Sequence, residues 1–159
     1  MVDRVFVYGT LMAPEITRLL ISRVPNQSPA TLRGFRRLRV KGQDFPAVIS
    51  VSGSKGTTDN TCEVQGLLLQ GLTNKELAIF DEYEDDDYSR ETLQVHLTEG
   101  SCETAFVYVW RDEGRHLLEE TEWDYEEFRR NKLSGYSKMV ESFVEEIREQ
   151  WEPKHDNPS

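Results

Sequence analysis

Short apolar runs in the first two-thirds of the chain give way to helical stripes near its end. Val5-Phe6-Val7-Tyr8 is β-branched and aromatic and predicts a strand, stopped by Gly9. Pro14 suits the first turn of a helix that carries Ile16, Leu19, Leu20 and Val24 at helical spacing, and the stretch from Pro25 to Pro29 ends it. Thr31 to Val40 predicts one strand with a bulge or bend at Gly34, and Phe45-Pro46-Ala47-Val48-Ile49 begins another with proline at its start. Ser52 to Thr61 is rich in Gly, Ser, Thr and Asp and predicts the most flexible internal loop. Glu63 to Gln70, Tyr88 to Leu97 and Glu103 to Trp110 add three more strands, the last two parted by a turn at Glu99-Gly100-Ser101. Thr73, with Glu76 three residues on, predicts a capping box before a helix bearing Leu77, Ile79, Phe80 and Tyr83. From Trp123 onward Tyr125, Phe128 and Leu133 form one helical stripe. Ser134-Gly135 predicts a break, and Tyr136, Met139, Val140, Phe143, Val144, Ile147 and Trp151 form a second stripe. Six strands with few helices predict an α+β fold, a curled or closed sheet wrapped by helices. Residues 1–151 read as a single domain and 152–159, polar with two prolines, as a flexible tail.

Composition narrows the class of partner. A chain of 159 residues suits one domain with a sizeable core. The formal net charge of −10 would repel duplex DNA and anionic membranes, so neither is expected as a partner. No apolar run is long enough to cross a membrane and no basic-then-apolar leader opens the chain, which points to the cytoplasm. Cys62 and Cys102 lie far apart, without ligand spacing to a histidine, and read as free, buried thiols rather than a disulfide or a metal site. His96 alternates with Val95 and Leu97 and reads as a strand position. There is no GxGxxG, Walker loop, HExxH or GxSxG, so nucleotide, zinc-protease and serine-hydrolase chemistries have no support.

Two segments carry candidate chemistry. At Tyr8-Gly9-Thr10-Leu11 a glycine of positive φ would let the chain leave its strand with backbone N–H groups bare, a cradle for a carboxylate. The plainer reading is a tight strand-to-helix connection with Tyr8 buried. In Phe80-Asp81-Glu82-Tyr83-Glu84, positions Leu77, Phe80 and Glu84 share one helical face while Glu82 turns to the other. Glu84 is thereby aimed at the core or a pocket. Burial, with Asp81, Asp85, Asp86 and Asp87 as neighbours, would raise its pKa towards that of a general base at neutral pH. A solvated acidic turn is the alternative. Tyr88 could hold a substrate carboxylate, orient Glu84, or be a half-buried aromatic; Arg90 could neutralise the acids. Arg33, Arg36, Arg37, Arg39 and Lys41 read as a basic strand balancing acids, and Tyr108 as core.

Phe6-Val7-Tyr8-Gly9-Thr10-Leu11, Phe45-Pro46-Ala47-Val48, and Asp81-Glu82-Tyr83-Glu84 with Tyr88 and Arg90 resemble, in that order, the gamma-glutamylcyclotransferase-like family, and most of all its plant avirulence-induced-gene-product-like branch. The resemblance implies a small mixed β-sheet closed into a barrel of about six strands and packed by surrounding helices. It implies a substrate-binding loop at Tyr8, Gly9, Thr10, Leu11 and Met12, aided by Tyr88, with Glu84 as proton acceptor. It also implies cyclisation of a small-molecule gamma-glutamyl substrate to 5-oxoproline with release of an amine or amino acid, and no metal or cofactor. Asp85 follows Glu84 where the family often has glycine, so it could raise the pKa of the base further or narrow the pocket. A non-catalytic binding module that keeps the pocket is the alternative, and the oligomeric state is left open.

Overall fold

β1, Val5–Val7, is three residues long and buried on both faces, and the rest of the fold is arranged around it. In the computed structural model, which describes residues 3–51 and 62–151, β1 pairs antiparallel with β5 (Glu63–Gln70) and parallel with β7 (Cys102–Trp110). β2 (Asn26–Arg33) lies between β5 and β6 (Tyr88–Leu97), and β6 runs antiparallel to β7, closing the order β1-β5-β2-β6-β7 into a barrel. β3 (Phe35–Val40), β4 (Pro46–Ser50) and β8 (Leu118–Glu122) form a second antiparallel sheet in the order β4-β3-β8. The expected loop at 52–61 and tail at 152–159 lie outside the described residues.

Alternation along the strands separates two cores. Phe6, Leu32, Leu68, Val95, Val107 and Val109 belong to a cluster made of strand residues together with Tyr8, which fills the barrel, and Val48 of β4 joins it, sealing the second sheet against the barrel. Val5, Val7, Leu69 and Trp110 face the other way. They pack with Ile16 of α1 (Pro14–Ile21), Phe80 of α2 (Asn74–Glu84), Phe128 of α3 (Tyr125–Asn131) and Val140 of α4 (Leu133–Trp151).

The α+β barrel wrapped by helices is the expected architecture, but the strands number eight among the described residues and only five close the barrel. The expected single strand from Thr31 to Val40 is two, because Gly34 adopts φ 83° and hands the chain from the barrel to the second sheet. β8 is an additional strand whose sequence, Leu-Glu-Glu-Thr-Glu, shows no alternation; it is a half-exposed edge held by β3. The break between the last two helices falls at Lys132, and Gly135 lies inside α4. α1 ends at Ser22 in the left-handed region, so Val24 is not helical. The capping box forms as expected, with Thr73 Oγ1 accepting from the Glu76 N–H and Glu76 Oε1 from the Thr73 N–H. Cys62 and Cys102 are free, as expected, but neither is buried.

Candidate active site

β1 stops at Val7, and the chain turns through Tyr8 and Gly9 into a single 3-10 turn, Thr10–Met12, ahead of α1. The first hydrogen bond of that turn is Met12 N–H to Gly9 O, 2.9 Å, so the N–H groups of Gly9, Thr10 and Leu11 precede it. This removes Met12 from the expected cradle, since its N–H is engaged and it does not line the recess that Tyr8 to Leu11 line. Gly9 has φ −129°, not the expected positive value. Its requirement is steric: a Cβ there would lie 2.7 Å from both Cγ and Cδ of Pro46. Pro46 is held in turn by Tyr88, whose hydroxyl donates to the Pro46 carbonyl at 2.7 Å and whose ring meets Trp110 edge-on at 5.1 Å. Tyr88 therefore acts on the loop through Pro46 rather than by a bond to Glu84.

Glu84 is the last residue of α2. Leu77 and Phe80, on its face, are buried, Glu82 is exposed, and Glu84 is half-buried against the recess. The recess is lined by Tyr8, Gly9, Thr10, Leu11, Pro46, Glu84 and neighbours, with a volume of about 20 Å³. That is room for about one water-sized polar group. Thr10, Phe45, Glu84 and Tyr88 also line an outer chamber of about 320 Å³.

Burial pushes the Glu84 carboxyl up from 4.5 to about 8, and the negative charge of Asp81 adds to the shift. Asp85, Asp86 and Asp87, expected to push the same way, do not contribute. Their side chains are exposed, and Asp85 Oδ1 turns back to accept from the Asp86 N–H at 2.8 Å. Asp81 is fixed by the Tyr108 hydroxyl at 2.7 Å and by Arg90 at 3.0 Å. Tyr108, expected only as core, thus also anchors the charge that tunes Glu84. Tyr8, Tyr83, Tyr88, Tyr108 and Tyr136 are all pushed upward, each mainly by burial, and stay neutral hydroxyls. Of these groups only Glu84 titrates near neutral pH.

Three further residues organise the site. Arg37, expected to balance surface acids, is instead turned inward. Its Nη1 donates to the Tyr8 carbonyl at 2.8 Å, its guanidinium lies 5.6 Å from the Trp123 ring centroid, and its buried Nε has no partner among the described residues. Carbonyl and N–H point oppositely in a trans peptide, so anchoring Tyr8 O turns the Gly9 N–H away from Arg37. The alternation of β3, which places Arg37 on the face of Phe35, was the available signal. Tyr83 shares a 2.6 Å hydrogen bond with Thr10 Oγ1 and donates to the Tyr136 hydroxyl at 2.9 Å, tying the loop, α2 and α4 together.

A family model described as gamma-glutamyl cyclotransferase, AIG2-like, matches residues 5–125. The chain belongs to this family. AIG2-like protein D of Arabidopsis thaliana is 41% identical over 145 residues, 90% of each chain. A solution structure of another Arabidopsis thaliana protein superposes with a TM-score of 0.63 at 28% identity, covering 94% of this chain and 93% of that one. A structure titled gamma-glutamyl cyclotransferase shares the fold with a TM-score of 0.57 at 16% identity, over 87% and 85% of the two chains. For this AIG2-like cyclotransferase family member, no described helix is long and apolar enough to cross a membrane.

Proposed function

We propose that this protein cyclises a gamma-glutamyl group to 5-oxoproline and releases the attached amine or amino acid in the cytoplasm. The observation that carries the reading is a half-buried glutamate, held largely protonated at neutral pH, on the same recess as the loop residues Gly9, Thr10 and Leu11, whose N–H groups precede the first hydrogen bond of the 3-10 turn. The substrate α-carboxylate rests on those N–H groups, which places the α-ammonium beside Glu84. A cation there favours the carboxylate form, so binding itself turns Glu84 into a base. Glu84 takes one proton from the ammonium. The amine nitrogen attacks the γ-carbonyl carbon, a C–N bond forms, Glu84 returns its proton to the leaving nitrogen, the original γ-amide C–N bond breaks, and the second proton that the attacking nitrogen sheds passes by the same carboxylate to the released amine, which departs as an ammonium ion. The attack is intramolecular, so the protein contributes mainly folding of the substrate and proton transfer.

The test is release of 5-oxoproline from gamma-glutamyl peptides and amines. Glu84→Gln should reduce it by about 100- to 10,000-fold, while Glu82→Gln, on the exposed side of α2, leaves it unchanged. Binding without product would select a non-catalytic module, and full turnover by a folded Glu84→Gln protein would reject the role of Glu84.

A further inference from the structure

The outer chamber has a chemical character separate from that of the recess. Its walls are Phe45 together with Tyr136, Met139, Val140 and Phe143, which recur at i, i+3, i+4 and i+7 on one face of α4. Met139 is 53% exposed, one of two large apolar side chains so exposed among the described residues, although it faces a chamber rather than a flat surface. The charged groups lining the chamber are Glu84, Asp85 and Asp87, and no Lys, Arg or His among the described residues lines it. Glu84 lines both chamber and recess, so a substrate whose carboxylate sits at Gly9 and whose ammonium meets Glu84 would extend its leaving group towards the chamber.

We infer that this protein acts on gamma-glutamyl amides of apolar amines, arylalkyl or branched alkyl, whose leaving group bears no carboxylate. The inference rests on the cyclotransferase reading and specifies the half of the substrate that reading leaves open. A phenyl or branched alkyl group would cover Met139, Val140 and Phe143 and take their apolar surface out of water, and the flexible Met139 can adapt to its shape. A gamma-glutamyl amino acid carries a carboxylate on the carbon next to the scissile nitrogen. That carboxylate would enter among Glu84, Asp85 and Asp87 with no cation to pair with, and like charges at such range cost a factor of about ten or more in affinity. Bonds and protons balance as in the parent reaction: one C–N bond forms, one breaks, and the two protons shed as the α-ammonium becomes the lactam N–H pass by way of Glu84 to the departing nitrogen, which leaves as an ammonium ion.

Three substrates isolate the claim: gamma-glutamyl-phenethylamide, gamma-glutamyl-phenylalanine, which differs only by the carboxylate, and gamma-glutamyl-ethylamide, which lacks the ring. With the purified full chain, kcat/KM for 5-oxoproline release should be at least about tenfold higher for the phenethylamide than for either of the others. Asp87→Lys should raise kcat/KM for gamma-glutamyl-phenylalanine and narrow its gap to the phenethylamide. Met139→Lys, at an exposed position on α4, should shift selectivity the same way if the first variant does not fold. Equal or better turnover of gamma-glutamyl-phenylalanine by the wild type overturns this inference and leaves the cyclotransferase reading standing. Absence of 5-oxoproline from all three defeats that reading, and this one with it.

Discussion

Replacing Glu84 by glutamine should make the protein more stable at pH 8 while disabling it. The argument is one of proton linkage. Glu84 has an ordinary carboxyl pKa of 4.5 when unfolded and about 8 in the folded protein. The raised value means that the folded state holds a proton the unfolded state releases. The resulting stability is complete below pH 4.5 and is lost progressively as pH rises to about 8. At about 1.4 kcal/mol per pH unit the full interval corresponds to about 5 kcal/mol, and the partial solvent access of the side chain brings this to about 2–4 kcal/mol. Glutamine keeps the shape and cannot ionise, so it avoids the loss. For a chain of this size about 3 kcal/mol is roughly 6–12 °C in Tm. Thermal melts of the two proteins should therefore coincide within about 2 °C at pH 4.5 and separate by pH 8, with the Glu84→Gln protein the more stable. Other titrating groups are common to both proteins and cancel in the difference. A Tm gap independent of pH, or one in which the wild type gains at high pH, would refute the claim that Glu84 is destabilised as a carboxylate by burial.

The same shift sets the activity profile: kcat/KM for 5-oxoproline release should rise about tenfold per pH unit below about pH 8, where free-enzyme Glu84 loses its proton, and then level. Gly9→Val should abolish activity and cost about 1–3 kcal/mol in chemical denaturation, because the new Cβ meets Pro46 at 2.7 Å. Asp85 holds φ 65° and ψ −166°, a region that suits glycine. Asp85→Gly should relieve about 1–3 kcal/mol of strain, partly offset by about 1 kcal/mol for glycine's freedom when unfolded and the lost bond to the Asp86 N–H, leaving a small gain in urea midpoint. Arg37→Met keeps the bulk but frees the Tyr8 carbonyl; steady-state kinetics should show KM rising several-fold with the pH profile of kcat/KM unmoved, since Arg37 does not perturb Glu84.

What the sequence conveyed was local geometry. The capping box at Thr73 and Glu76 fixed where α2 begins, and counting three and seven residues from Leu77 put Glu84 on the buried face. Charge followed a different rule. Asp85 is adjacent in sequence, but its backbone turns at the helix end and its carboxylate faces solvent, whereas Asp81, nearly one turn back, is held close enough to act. The need for glycine at position 9 is legible, but its cause is not a positive φ, because the atoms that forbid a side chain belong to Pro46 in the second sheet. The role of Arg37 is hidden for a like reason: a basic strand reads as surface until the barrel packed against it supplies a carbonyl at Tyr8. β8 has so little apolar pattern that only its pairing with β3 defines it.

The division of labour in the site follows the chain. Every residue assigned to the carboxylate cradle and to proton transfer lies within residues 5–125, the span that the family model matches. Tyr136, Met139, Val140 and Phe143, the apolar wall of the outer chamber, lie beyond it. They are nonetheless coupled to the part of the chain that carries Glu84, since the hydroxyls of Thr10, Tyr83 and Tyr136 form one hydrogen-bonded chain, and the Tyr83 ring packs edge-on to Phe143 at 5.9 Å. α4 is therefore more than a cover for the core. Substitutions at Met139 and Val140 on its chamber face, which lie outside that hydrogen-bonded chain, can change which amine fits while Gly9 and Pro46 stay packed together and Asp81 of α2 stays held by Tyr108 of β7. In this fold, divergence in substrate is expected to concentrate on that helix face and divergence in chemistry to be confined to the end of α2.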